Sequence, residues 1–151
     1  MRILIGTDGS DDAVHAAARG IGVLAAPDVI TVVCVVQTPA VATSGMESGF
    51  AGGMASDETV DAAWITAKEE ADRALDRTAT VLPAGVSVER RVETGDAGTA
   101  ICRVADELDA DVIVIGSRGR GAFKRALLGS VSIHVANNSG RPVVVVGEPT
   151  D

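Results

Sequence analysis

Five short apolar segments, separated by stretches of helix-like periodicity, constrain this chain more than anything else in it. Val29-Ile30-Thr31-Val32-Val33-Cys34-Val35-Val36 is apolar almost without interruption, the pattern of a strand buried on both faces. Arg2–Thr7, Asp111–Ile115 and Val143–Val146 read in the same way. Val86–Val92 alternates instead and is predicted to lie half-exposed near a sheet edge. Val14, Ala17, Ile21 and Leu24 share one helical face, behind an N-cap at Ser10 and before Pro27. Val60, Trp64, Ala67, Ala71, Leu75 and Thr78 form the stripe of a longer helix, capped by Ser56 and ended before Pro83. Gly95-Asp96 leads into a third helix with Ile101, Val104, Ala105 and Leu108 inward, and Ser130 to about Asn138 forms a fourth. Such alternation predicts an α/β fold: one domain over residues 1–151, with a parallel sheet covered by helices on both faces.

The charge balance narrows the function classes. A net charge of −8 opposes broad nucleic-acid binding, which relies on basic surface to neutralise phosphates. Trp64, Phe50 and Phe123 are the only aromatic residues, so there is no stacking platform for single strands. No apolar run approaches the ~18–20 residues that span a bilayer, and the expected location is the cytoplasm. Cys34 and Cys102 form no CxxC motif and read as buried reduced thiols, and His15 and His134 as helix-surface residues. Residues 39–55 have no periodicity and are expected to be a mobile loop.

One basic cluster interrupts the acidic background: Arg118, Arg120, Lys124 and Arg125. It lies within 116-GSRGRGAFKRALLGS-130, which directly follows an apolar strand. Taken singly, each glycine reads as a turn or a cap rather than as part of an anion cradle. In a doubly wound sheet, ligands bind beyond the carboxyl ends of the strands, where the strand order reverses. The turn Thr7-Asp8-Gly9-Ser10 is the other candidate wall. Gly116 would let the chain leave its strand close to a ligand. Gly119 would supply a positive φ or bring N–H groups to phosphate oxygens. Gly129-Ser130 would open a helix whose free N–H groups favour an anion, with Ser130 as N-cap. Gly121 reads as loop geometry. No GxxxxGK[ST] occurs, and Lys124 replaces the third glycine of a GxGxxG.

The spacing Gly116-x2-Gly119-x9-Gly129-Ser130, with ILIGTDGS, GSRGRG, LLGSVS and RPVVVV in order along the chain, resembles the ATP-binding universal stress protein family. The resemblance implies a three-layer α/β/α sandwich with a five-stranded parallel sheet in order 3-2-1-4-5. It also implies ATP as cofactor, with Mg²⁺ near Asp8. Asp8 would lie beside the adenosine and opposite Gly116, Gly6 would line the pocket, and the Val35 backbone would meet the adenine edge. Ile115 and Gly116 would flank the ribose and the phosphate entry, while Gly119, Gly129, Ser130 and Val131 would hold the phosphates. Gly6 stands where some ATP-binding relatives carry proline. With so few aromatic residues, the base would sit between aliphatic side chains.

Val143–Val146 would be an edge strand in that order, and the resemblance implies a homodimer paired antiparallel through it. The alternative is an edge covered by residues 147–151. The expected function is a nucleotide-dependent regulatory or stress-response dimer with slow or no hydrolysis, acting on an unidentified protein partner. Two other readings stay open: an ATP-using enzyme of the adenine nucleotide alpha hydrolase-like fold, and an interaction module whose glycines are structural.

Overall fold

The computed structural model describes residues 1–38, 57–119 and 128–147. The expectations for the 39–55 loop, the Ser56 cap, Arg120, Gly121, Lys124 and Arg125 lie outside the described residues. In chain order the elements are β1 (Arg2–Thr7), α1 (Asp11–Gly22), β2 (Val29–Val36), α2 (Asp57–Ala79), β3 (Ser87–Thr94), α3 (Ala97–Glu107), β4 (Val112–Gly116), α4 (Ser130–Asn138) and β5 (Val143–Val146). All four strand pairings are parallel, and the sheet order is β3-β2-β1-β4-β5. The predicted topology is the observed one.

Alternation along each strand sorts the core into two layers. Ile3, Ile5, Val32, Cys34, Val112 and Val114 face α1 and α2 together with Ala17, Ile21, Ala71 and Leu75. Leu4, Val33, Ile113 and Ile115 face the opposite way, against Ile101, Val104, Ala105 and Val135 of α3 and α4. The central strands need apolar residues at every position because both faces are covered. β3 lies at an edge and is largely polar, as its alternation foretold. Its charged residues close a ring with α3: Arg91 pairs with Glu93 (2.8 Å) and Glu107 (2.6 Å), and Arg103 pairs with the same two carboxylates at 2.7 and 2.6 Å.

The inward face of α1 is smaller and wider than its aliphatic stripe implied. Ala17 and Ile21 are buried, but Val14 and Leu24 are only half-buried, and Ala13, Ala16 and Gly20 complete the buried face. Helix and sheet lie very close there: a Cβ at Gly20 would sit 2.3 Å from Val114 Cγ1. The helix ends at Gly22, before Pro27 is reached. Cys34 is buried as expected, whereas Cys102 is half-buried, and burial raises its thiol pKa. His134 is more than a surface residue, since its ring covers Gly98, where a Cβ would come within 2.7 Å of it.

Candidate ligand site at the strand-order reversal

From β1 the chain steps outward through β2 to β3, then returns to the other side of β1 for β4 and β5. The reversal therefore falls between β1 and β4, and their carboxyl ends carry the two glycine-containing loops. In the β1–α1 loop, Asp8 Oδ1 accepts hydrogen bonds from the Ser10 N–H (2.9 Å) and the Ser10 hydroxyl (2.6 Å). The Ser10 oxygen in turn accepts from the Ala13 N–H, which makes Ser10 the N-cap of α1 as predicted. Gly9, at φ +73°, allows the tight turn.

The β4–α4 loop is pinched at its base. The Gly129 N–H donates to Ser117 O at 2.6 Å, and the Ser117 N–H donates to Val146 O at 2.7 Å. The buried Ser132 hydroxyl lies 2.8 Å from Gly129 O and 3.1 Å from Ser117 O. It carries one proton for two acceptors. Both carbonyls keep a backbone donor without it, because Ile133 N–H also reaches Gly129 O. Ser132→Ala is therefore expected to cost about 1 kcal/mol rather than a full desolvation penalty, read as a small fall in denaturation midpoint. A fall of ~3 kcal/mol or more would show that the hydroxyl organises the loop base alone.

The helix after this pinch presents its N-terminus. The first intrahelical bond runs from Ile133 N to Gly129 O, so the N–H groups of Ser130, Val131 and Ser132 have no partner within the helix. The cap position is Gly129, with no side-chain cap, and Ser130 is the first helical residue. The expected Ser130 cap is thus corrected by one position. Because the Gly129 N–H is already engaged with Ser117, what Gly129 contributes is room: a Cβ there would lie 3.3 Å from Ser117 O.

The two loops meet at Asp8 and Gly119, where a Cβ on Gly119 would stand 2.9 Å from Asp8 Oδ2. Gly116 has a different neighbour. A Cβ there would crowd Arg118 O at 3.2 Å and Ala16 of α1 at 3.6 Å. The missing side chain lets β4 pack under α1, and Asp8 bears on Gly119 rather than Gly116. Gly6 likewise admits Ile101 of α3, whose Cδ1 would be 3.0 Å from a Cβ.

Above these contacts opens a cavity of about 780 Å³. Gly6, Asp8, Val35, Ile115, Gly116, Gly119, Gly129, Ser130 and Val131 all line it, so the fold brings together every site residue named from the sequence. Val35, Ile101, Ile115 and Val131 give it an aliphatic wall, and the α4 N-terminus gives it a polar end. The sequence reading missed Ser117, Ser132, Ala67, Glu70 and Ala71, which also line it. The LLGSVS stretch contained Ser132, but nothing local says that its hydroxyl turns back onto the loop. Asp96, beside the lining residue Ala97, caps α3. Its carboxylate accepts from the Thr99 N–H and hydroxyl, and these bonds hold its pKa below the usual range. That cap strengthens the helix above the ordinary carboxylate pKa and is lost as pH falls through the lowered one.

Among the described residues, no three His, Cys, Asp or Glu side chains converge on a metal site, and no helix is long and apolar enough to cross a membrane.

A doubly wound sheet with an aliphatic-walled cavity at its reversal, one end formed by a helix N-terminus, is the architecture in which open α/β proteins place their ligands. The universal stress protein family model matches residues 1–147, and the chain belongs to that family. It is 30% identical over 151 residues to universal stress protein MJ0531 of Methanocaldococcus jannaschii, covering 98% of this chain and 82% of the archaeal one. Its fold matches the solved structure of MJ0577 from the same organism, with a TM-score of 0.78, 22% identity and coverage of 99% and 97% of the two chains. It also matches a universal stress protein solved in complex with cAMP, with a TM-score of 0.63, 25% identity and coverage of 97% and 96%.

Proposed function

We propose that this chain is a cytoplasmic, nucleotide-dependent regulator that binds ATP in the cavity between Asp8 and the α4 N-terminus, with slow or no hydrolysis. The observation that carries the reading is the division of one cavity into an aliphatic wall and a backbone-lined anion end. An adenine ring fits the first by apolar contact. Phosphate oxygens fit the second, where helix N–H groups and the dipole favour negative charge. The family relative solved with cAMP supports an adenine nucleotide as ligand. Asp8 and Glu70 are the described carboxylates lining the cavity, and Asp8 Oδ1 is already committed to Ser10. Mg²⁺ would therefore arrive with ATP and be held mainly by its phosphates. Slow turnover is expected from the sequence, which carries no GxxxxGK[ST] loop and so no Walker-type lysine.

Equilibrium titration of the purified protein with ATP, ADP, AMP and cAMP tests the reading. Saturable ATP binding is expected, and absence of binding to any of them overturns it in favour of an interaction module. Rapid turnover with release of pyrophosphate would instead identify an ATP-using enzyme.

The same reading includes a homodimer through β5. This strand pairs only with β4 in the described sheet, and its four valines are half-buried. Pro142 O and Val146 O point toward β4, so Val143 and Val145 direct their backbone groups outward. Val145→Pro removes an outward N–H while sparing the β4 ladder. Sedimentation should show a dimer for the unmodified protein and a monomer for this variant, and a variant that stays dimeric would place the interface elsewhere.

A further inference from the structure

A second layer stands behind Asp8. Thr78, fully buried in the last turns of α2, lies 2.8 Å from the Thr7 hydroxyl. The proton directions along this contact follow from counting. The Thr78 hydroxyl lies 2.9 Å from Ala74 O, a carbonyl that can only accept. Its single proton goes there, and its oxygen must accept from Thr7. The Thr7 oxygen then accepts from the Gly9 N–H at 3.1 Å. The chain Gly9 N–H to Thr7, Thr7 to Thr78, Thr78 to Ala74 O leaves no hydroxyl in it unsatisfied. One residue earlier on α2, Arg77 Nη1 donates to Gly9 O at 2.6 Å and Nη2 to Asp11 at 2.6 Å. Asp8 therefore sits between two residues, Thr7 and Gly9, that are both tied to α2.

We propose that Thr78 is the positioning residue for Asp8, with Arg77 as an auxiliary: α2 sets where the Asp8 carboxylate stands in the nucleotide cavity. The two contacts are unequal. Thr78 is buried, so its lost hydroxyl cannot be replaced by water. The Arg77 and Asp11 side chains are 54% and 94% exposed, and such a pair contributes little. The role goes beyond packing because the bonds converge on the backbone flanking Asp8, whose carboxylate faces Gly119 across the crevice. It rests on the reading that Asp8 contacts the nucleotide.

Thr78→Val keeps the shape but leaves the Thr7 hydroxyl without its acceptor, while Thr78→Ser keeps the hydroxyl. Two measurements on the full chain test the role. In ligand-free protein, amide exchange at Gly9 and Ser10 should speed up in Thr78→Val and stay near the unmodified rate in Thr78→Ser. In ATP titrations, Thr78→Val should weaken binding by about five- to tenfold, the scale of one lost buried hydrogen bond. Thr78→Ser should restore it, and in an Asp8→Ala background Thr78→Val should cost nothing further. An equal loss in the presence and absence of Asp8, with exchange raised throughout the molecule, would overturn the positioning role while leaving nucleotide binding intact. If Asp8→Ala itself leaves ATP binding unchanged, the assignment of Asp8 to the nucleotide fails, and the positioning role fails with it.

Discussion

Gly20→Ala is expected to destabilise the protein clearly, although it adds a single methyl group. On an exposed helix the same substitution would stabilise by ~1 kcal/mol, since alanine is the better helix former. Here the new Cβ would stand 2.3 Å from Val114 Cγ1, with Val114 itself fully buried in β4. Val114 is fully buried, so turning Cγ1 away forces it into occupied core, and its Cβ would still lie 3.4 Å from the added methyl. Either the valine repacks or the helix lifts from the sheet, and overpacking of this kind costs about 1–3 kcal/mol. For a chain of this size the melting temperature should fall by roughly 2–4 °C per kcal/mol. Gly22→Ala is the matched control: nothing lies within 4 Å of its added Cβ, so it should be neutral or slightly stabilising. Denaturant midpoints for the two variants, and for Gly20→Ala combined with Val114→Ala, decide the matter. The double variant should lose at least ~1 kcal/mol less than the sum of its parts, as expected for side chains in direct contact. Simple additivity would mean that α1 does not rest on Val114.

Gly119→Val should do the opposite, sparing the fold and removing the ligand. Gly119 is exposed and belongs to neither core layer, so the strain stays within the two loops and the sheet and helices keep their packing. Its Cβ would lie 2.9 Å from Asp8 Oδ2. The carboxylate cannot rotate away freely, because Oδ1 is held by both the N–H and the hydroxyl of Ser10. Either those bonds break or the two loops separate, and both widen the crevice that the nucleotide is proposed to bridge. ATP affinity should fall about tenfold or more, the equivalent of ~1.4 kcal/mol. Calorimetric titration reads the loss, and circular dichroism confirms the fold. In an Asp8→Ala background the valine should weaken binding far less, since nothing remains to be displaced. A Gly119→Val protein that binds ATP normally would show that the contact with Asp8 has no part in recognition.

These two glycines show where sequence reading succeeds and where it stops. Gly119 stood out because it belongs to a spaced set after an apolar strand. Gly20 sits within an ordinary helical pattern, and nothing around it signals that β4 approaches from the side. Thr78 was placed correctly on the inward stripe of α2, but as one more small side chain among apolar ones. Its hydroxyl acquires meaning only when Thr7, 71 positions earlier, is brought to 2.8 Å. Gly116 was expected to make room for a ligand, and its neighbours turn out to be the backbone of Arg118 and the face of α1.

What this chain determined by itself was everything carried by local periodicity and local capping: the order of strands and helices, the doubly buried central strands, the polar edge strand, and the cap at Ser10. Those signals are legible because a helix repeats every ~3.6 residues and a strand every two, so burial leaves its imprint on neighbouring letters. The tertiary structure decided which partner each small residue meets. It set Asp8 against Gly119, engaged the Gly129 N–H with Ser117, and tied the Asp8 turn to α2 through Thr78 and Arg77. A glycine in a sequence says only that a Cβ is absent. The atom that comes to occupy that space arrives from another element of the fold.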